Sequence, residues 1–76
     1  MRVLLLGGTA EARQLAQILF PRVEVISSLA GRVPEPRLPV GSVRIGGFGG
    51  ADGLWHWLID HRIDVVVDAT HPFAAT

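Results

Sequence analysis

MRVLLLGGTAEAR, residues 1–13, joins a short apolar run to two glycines and then to a helical pattern. An apolar run without polar alternation is typical of a parallel strand that is covered on both faces. Glycines let the backbone turn tightly and approach a phosphate closely, and a helix N-terminus presents free N–H groups at the positive end of its dipole. The order of strand, glycine turn and helix therefore predicts a nucleotide-binding βαβ unit and a phosphorylated cofactor.

The first helix is predicted over residues 10–20, because Pro21 cannot continue it. Its inward face combines large side chains with small ones that allow close packing on a sheet, namely Leu15, Ile18, Leu19, Ala12 and Ala16. Glu11 falls on this same face, in the first turn. Two interpretations of Glu11 stay open: favourable pairing with the helix dipole, or contact with a bound ribose or a neighbouring loop N–H.

The alternation of strand and helix continues to residue 76. We predict strands over residues 2–6, 23–27, 43–45 and 64–67. A second helix is predicted from residue 52 or 53 to about 61, with an apolar side of Leu54, Trp55, Leu58 and Ile59. Prolines make residues 28–42 a loop, and Pro72 suits the first turn of a third helix. The pattern predicts an α/β fold with a parallel sheet of about four strands, the first part of a longer protein.

Composition narrows the class of protein. A chain of 76 residues forms one small domain, and its 49% apolar residues indicate that part of its surface is covered by something else. The apolar runs fall short of the ~18 residues of a membrane span, and no signal peptide is visible, so we expect a cytoplasmic protein without membrane association. Zero net charge does not favour a nucleic-acid partner. Without cysteine, and with His56 and His61 five residues apart, no metal site is expected.

Polar and glycine residues follow three of the predicted strands. The carboxyl ends of parallel strands lie along one edge of the sheet, where ligands bind. We expect that edge to gather Gly7, Gly8, Thr9, Ser28, residues 46–50, Asp68, Thr70 and His71. The first loop departs from the G-x-G-x-x-G fingerprint, since the aligned positions are Gly7, Thr9 and Ala12.

The end of the second strand bears on the identity of the cofactor. Units that bind NAD commonly place Asp or Glu there to hold the ribose 2′-OH, whereas an Arg accommodates the 2′-phosphate of NADP. This chain has Ser27 and Ser28, followed by Arg32, which favours NADP. The alternative is that Arg32 is an exposed loop residue.

His71 has three interpretations: a residue packed against Phe73 at a helix start, a proton donor, or an anchor for substrate. Asp68, three residues before His71, is better suited to orienting loop N–H groups than to acting as a base.

Four segments together resemble the precorrin-6A reductase family of cobalamin biosynthesis. They are GGTAEAR (residues 7–13), SSLAGR (27–32), RIGGFGGADGL (44–54) and VVDATHPFA (66–74). The resemblance is collinear and extends over essentially the whole chain, and its last two segments are specific rather than generic.

The resemblance implies an oxidoreductase that uses NADPH to reduce one double bond of the precorrin-6A macrocycle, giving precorrin-6B. It also implies two Rossmann-like domains with the tetrapyrrole between them, so that residues 1–76 are the N-terminal, NADP-binding domain and a C-terminal domain is missing. Cofactor contacts are then expected from Gly7, Gly8, Thr9, Glu11, Ser28, Arg32 and Gly47. Substrate contacts are expected from Gly49, Thr70, His71, Pro72 and Phe73, with His71 as the catalytic candidate.

Arg32 or Arg37 could instead hold carboxylates of the substrate. Two other functions remain open: an NADP-sensing domain without chemistry, and a domain that serves only in assembly.

Overall fold

The computed structural model describes residues 1–29 and 38–69. The strands are β1 (Arg2–Leu6), β2 (Glu24–Leu29), β3 (Ser42–Ile45) and β4 (Val65–Asp68), and the helices are α1 (Ala10–Leu19) and α2 (Gly50–Asp60). The third helix predicted after residue 68 lies outside the described residues. Neither described helix has the length and hydropathy that crossing a bilayer requires.

The four strands form one parallel sheet in the order β3-β2-β1-β4. This is the order of the first four strands of a Rossmann sheet. The predicted α/β class and strand number are confirmed, and every predicted strand overlaps an observed one. Strand β2 is longer than predicted, because Ser28 and Leu29 still pair with β3 through Arg44 and Ile45.

Helix α1 covers one face of the sheet. Its N-cap is Thr9, whose hydroxyl accepts a hydrogen bond from the Ala12 N–H, and Ala12 and Ala16 pack on Leu5 and Val25 in the core. Leu15 and Leu19 pack against this cluster as predicted.

Two predictions for the inward face of α1 were wrong. Ile18 is 71% exposed, because it follows Ala16 by two positions, about 200° around the helix axis. Glu11 is also exposed, since it precedes the buried Ala12 by one position and so lies beside the buried stripe.

Helix α2 lies on the opposite side of the sheet, and none of its residues is fully buried. Trp57 of α2 lies near the Arg44 guanidinium. Arg44 is the register partner of Ser28 on the neighbouring strand. The Ser28 side chain faces away from the α1 side of the sheet, which carries Val25. The predicted apolar side of α2 was partly wrong: Trp55 is 62% exposed and Ile59 is also exposed, whereas Trp57 is half-buried against Phe48. The helix also begins two or three residues earlier than predicted, because Gly49 and Gly50 take positive φ angles that turn the chain into it.

Gly53 sits where α2 meets the preceding loop. A Cβ at Gly53 would overlap the carbonyl oxygen of Phe48, whereas a Cβ at Gly47 would meet no atom within 4 Å. In an ordinary helix interior, Gly→Ala stabilises by about 1 kcal/mol. Here we expect Gly53→Ala to lower the free energy of unfolding by about 1–3 kcal/mol, since the overlap must be relieved by a shift of the backbone.

Urea unfolding of the full-length protein measures this effect, with Gly47→Ala as the matched control. Equal stability of the two variants would contradict the close approach of Phe48 to α2.

Candidate functional site

Backbone hydrogen bonds draw the carboxyl ends of the strands together. The Gly7 N–H donates to the Ser28 carbonyl at 3.0 Å, the Gly46 N–H to the Leu29 carbonyl at 2.8 Å, and the Ala69 N–H to the Leu6 carbonyl at 2.8 Å. Each bond continues the sheet into the residue that follows a strand. The loops after β1, β3 and β4 therefore start from one edge, as the sequence predicts.

A depression of about 260 Å³ opens at this edge, on the α2 side of the sheet. It is lined by Leu6, Gly7, Gly8, Ser28, Gly46, Gly47 and Phe48. Four of the residues predicted to bind a cofactor meet here: Gly7, Gly8, Ser28 and Gly47.

Three other predicted site residues, Thr9, Glu11 and Gly49, are not among the residues that line this depression. Thr9 begins α1, Gly49 begins α2, and Glu11 points to solvent. The predicted residues Arg32, Thr70, His71, Pro72 and Phe73 lie outside the described residues, as does Arg37.

Gly7 makes the turn out of β1 possible. Its φ of 136° lies in the region that L side chains rarely adopt, and it is buried. A Cβ at the neighbouring Gly8 would stand 3.4 Å from a terminal methyl group of Leu29. Gly7 thus lets the chain leave β1 sharply, and Gly8 lets it pass close to the Leu29 side chain.

Thr9 links the start of α1 to the residue that follows β4. Its Oγ1 accepts from the Ala12 N–H at 3.1 Å and donates to the Ala69 carbonyl at 3.1 Å. The hydroxyl proton is thereby committed to the residue that follows β4. What Thr9 offers a ligand is its position at the start of α1, where N–H groups have no partner within the helix.

Ser28 and Ser27 have different environments although they are adjacent. Successive strand residues face opposite sides, so only Ser28 lines the depression. Ser27 is 1% exposed on the α1 side, and its Oγ has no hydrogen-bond partner among the residues described. Of the two hydroxyls predicted at the end of β2, only that of Ser28 lies where it can reach a ligand in the depression.

Arg44 is the residue of this site that the sequence prediction missed. Its Nη1 donates to Ser28 Oγ at 2.9 Å and to the Gly46 carbonyl at 3.0 Å, and its Nη2 donates to the Gly47 carbonyl at 3.1 Å. The guanidinium carbon lies 3.8 Å from the centre of the Phe48 ring. The available signal was an Arg inside a short strand, directly before the second glycine-rich turn.

Two arginines lie at the site, whereas an ion pair lies at the opposite end of the sheet. Arg2 forms an ion pair with Glu24 at 3.1 Å, and Asp64 accepts a hydrogen bond from the Arg2 N–H at 2.7 Å. Both contacts are at the amino ends of the strands, across the sheet from the depression. At the carboxyl ends, Arg13 donates to the Gly8 carbonyl at 3.2 Å and Arg44 holds the second glycine loop.

A second depression, of about 340 Å³, lies on the outer side of α1. It is lined by Ala10, Arg13, Gln14, Gln17, Leu38, Pro39 and Val40. It is larger but contains no strand end, and apart from Ala10 none of its α1 residues belongs to the first turn. The depression at the strand ends is therefore the better candidate for a ligand site.

Thr9 provides a test of how this edge is held. Thr9→Val keeps the shape of the side chain but removes both the cap and the bond to Ala69, so we expect it to destabilise the protein by about 1–2 kcal/mol. Thr9→Ser retains the hydroxyl and is the matched control. The midpoint of urea unfolding measures the difference, and identical midpoints for the two variants would contradict a supporting role of the hydroxyl.

Comparison with known proteins identifies relatives over the full chain. The family model described as "Precorrin-6x reductase CbiJ/CobK" matches residues 2–76. The chain is 72% identical over 75 residues to precorrin-6A reductase of Mycobacterium tuberculosis (strain ATCC 25618 / H37Rv), covering 99% of this chain and 31% of the relative. It is 67% identical over 76 residues to precorrin-6A reductase of Rhodococcus erythropolis, covering 97% and 31%.

A solved structure, "CobK precorrin-6A reductase", superposes with a TM-score of 0.85 at 47% identity, covering 99% of this chain and 30% of that one. The chain thus spans about a third of the length of the proteins that it matches.

Proposed function

Because the chain belongs to the precorrin-6x reductase CbiJ/CobK family, we propose that the full-length protein reduces a double bond of precorrin-6A to give precorrin-6B. Residues 1–76 are then its N-terminal Rossmann-like domain, and their part in the reaction is to bind the reductant, NADPH. The observation that carries the second statement is the glycine-lined depression at the carboxyl ends of β1, β2 and β3.

The residues of the depression fit a dinucleotide phosphate. Gly7 and Gly8 bring backbone close to the opening, and the adjoining first turn of α1 offers N–H groups and a favourable dipole to an anion. A carboxylate that would hold the ribose 2′-OH of NADH is absent from the end of β2, where Ser28 and Leu29 stand. The end of β2 therefore suits the 2′-phosphate of NADPH better than the 2′-OH of NADH.

The size of the depression limits what it holds. At about 260 Å³ it is smaller than the ~300–1,000 Å³ of complete ligand sites, so it has room for only part of the cofactor. We assign to it the adenosine and phosphate portion, because glycine turns and a helix start suit phosphate. When bound, NADPH supplies the hydride, and a proton completes the reduction. The residues of this chain bind and orient, and we propose that the nicotinamide and the macrocycle meet toward Gly49 and residues 70–73.

Cofactor binding by the full-length protein tests this proposal. We expect NADPH to bind about tenfold or more tightly than NADH, because a charge-assisted contact is roughly twice as strong as a neutral one. Gly8→Val, which adds bulk at the wall of the depression, should weaken NADPH binding about tenfold or more, since overpacking costs about 1–3 kcal/mol.

Ala51→Val, at an exposed position of α2, is the matched control and should bind as the wild type does. Titration followed by calorimetry or Trp fluorescence measures both effects. A folded protein that binds neither dinucleotide, or a Gly8→Val variant that binds NADPH normally, would move the cofactor site away from this depression.

His71 is proposed to act on the substrate side, as a proton donor or as an anchor for a substrate carboxylate. We expect His71→Gln to lower kcat/KM for the tetrapyrrole about a hundredfold, as is typical for loss of a general acid, while the Kd for NADPH stays unchanged. His56→Gln, on the exposed side of α2, is the control. Unchanged turnover by His71→Gln would contradict both roles and favour the interpretation that His71 only packs against Phe73.

A nucleotide-sensing domain without chemistry would bind NADPH equally well. Turnover distinguishes it from the reductase, because only the reductase oxidises NADPH in the presence of the precorrin.

A further inference from the structure

We propose that Arg44 binds the 2′-phosphate of NADPH and so discriminates NADPH from NADH. This inference rests on the proposed cofactor site and names its specificity-determining residue. It assigns to Arg44 the role that the sequence alone predicts for Arg32.

The position of Arg44 follows from the register of the sheet. In dinucleotide-binding folds, the residue that selects the ribose lies at the end of the second strand, about 20 residues beyond the first glycine of the turn. Ser28 occupies that place, 21 residues after Gly7. Arg44 is its register partner on β3, and its Nη1 lies 2.9 Å from Ser28 Oγ. A guanidinium thus lies where NAD-binding folds have a carboxylate.

The charge of Arg44 is not compensated within the described part of the chain. Its three hydrogen bonds end on neutral acceptors, the Ser28 hydroxyl and the Gly46 and Gly47 carbonyls. It forms no ion pair with any carboxylate among residues 1–29 and 38–69. Of its five N–H donors, the Nε–H and one Nη2–H have no partner in this part of the chain. A phosphate would supply both the opposite charge and the missing acceptors.

The guanidinium is also oriented in advance. The guanidinium carbon lies over the Phe48 ring at 3.8 Å from its centre, and the centre of the Trp57 ring is 5.4 Å away. The hydrogen bonds to Gly46 and Gly47 hold its edge. A side chain held in this way loses little freedom when it binds a ligand, so more of the interaction free energy appears as affinity.

The residues that contact Arg44 form part of the wall of the depression. Ser28, Gly46, Gly47 and Phe48, which contact Arg44, also line the cavity, whereas Arg44 itself stands behind them. Arg44 thus contacts four of the seven residues that line the depression, so a phosphate bound beside the adenosine end of the cofactor would lie near its guanidinium.

Binding of adenosine fragments to the full-length protein tests this assignment. The probes are 2′,5′-ADP and 5′-AMP, which differ by the 2′-phosphate alone, together with NADPH and NADH. Arg44→Met removes the charge and keeps a long apolar side chain on Phe48. Arg44→Lys keeps the charge but loses the planar fork. Arg22→Met, an exposed residue in the turn before β2, is the matched control.

We expect Arg44→Met to weaken 2′,5′-ADP and NADPH binding by about 10- to 100-fold and to leave 5′-AMP and NADH within about twofold, as loss of a hydrogen bond to a charged group predicts. Arg44→Lys should weaken 2′,5′-ADP by an intermediate factor. Arg22→Met should match the wild type for all four ligands.

Three results would overturn the assignment while leaving the cofactor site in place. Equal weakening of 2′,5′-ADP and 5′-AMP would make Arg44 only a brace for the glycine loop. An unchanged preference for 2′,5′-ADP in both folded Arg44 variants would return the role to another residue. If Arg44→Met does not fold, an unchanged preference in Arg44→Lys is decisive in the same way. A wild-type protein that binds neither dinucleotide refutes instead the proposed function itself.

Discussion

The burial of β1 between β2 and β4 is the constraint on which the rest of this structure depends. Leu4 and Leu5 are completely buried, and every residue of β1 except Arg2 is paired in register on both sides. Because the strand cannot shift without exposing these side chains, the point where it ends is set by the core. The glycine turn, the start of α1 and the depression all follow from that end point.

The candidate site is built from backbone more than from side chains. Glycines of two loops form much of its wall, and the groups that hold the loops in place are a threonine hydroxyl and one guanidinium. A site with so few side chains suits the binding of a cofactor, because the cofactor carries the reactive atoms and the protein supplies position and electrostatics.

The strands and their common edge could be predicted from the sequence, because continuous apolar runs that end in glycine have few other interpretations. The faces of the helices were harder to predict. Ile18 and Trp55 are as apolar as the residues that pack, and their exposure depends on how each helix lies on the sheet.

Arg44 could not be predicted because its contact with Ser28 joins residues 16 apart in the sequence through the register of β2 with β3. A hydrophobic pattern locates a strand within a residue or two, and a slip of one residue would turn Arg44 to the other face. The assignments of Arg32 and His71 stay predictions.

The hydroxyl of Thr9 links two segments that leave the sheet at the same edge. It spans from the first turn of α1 to Ala69, the residue that precedes the segment with Thr70 and His71. Because one hydroxyl makes both hydrogen bonds, the start of α1 cannot be displaced without stretching or breaking the bond to the Ala69 carbonyl. The turn after β1 and the chain that leaves β4 are thereby held at a fixed separation.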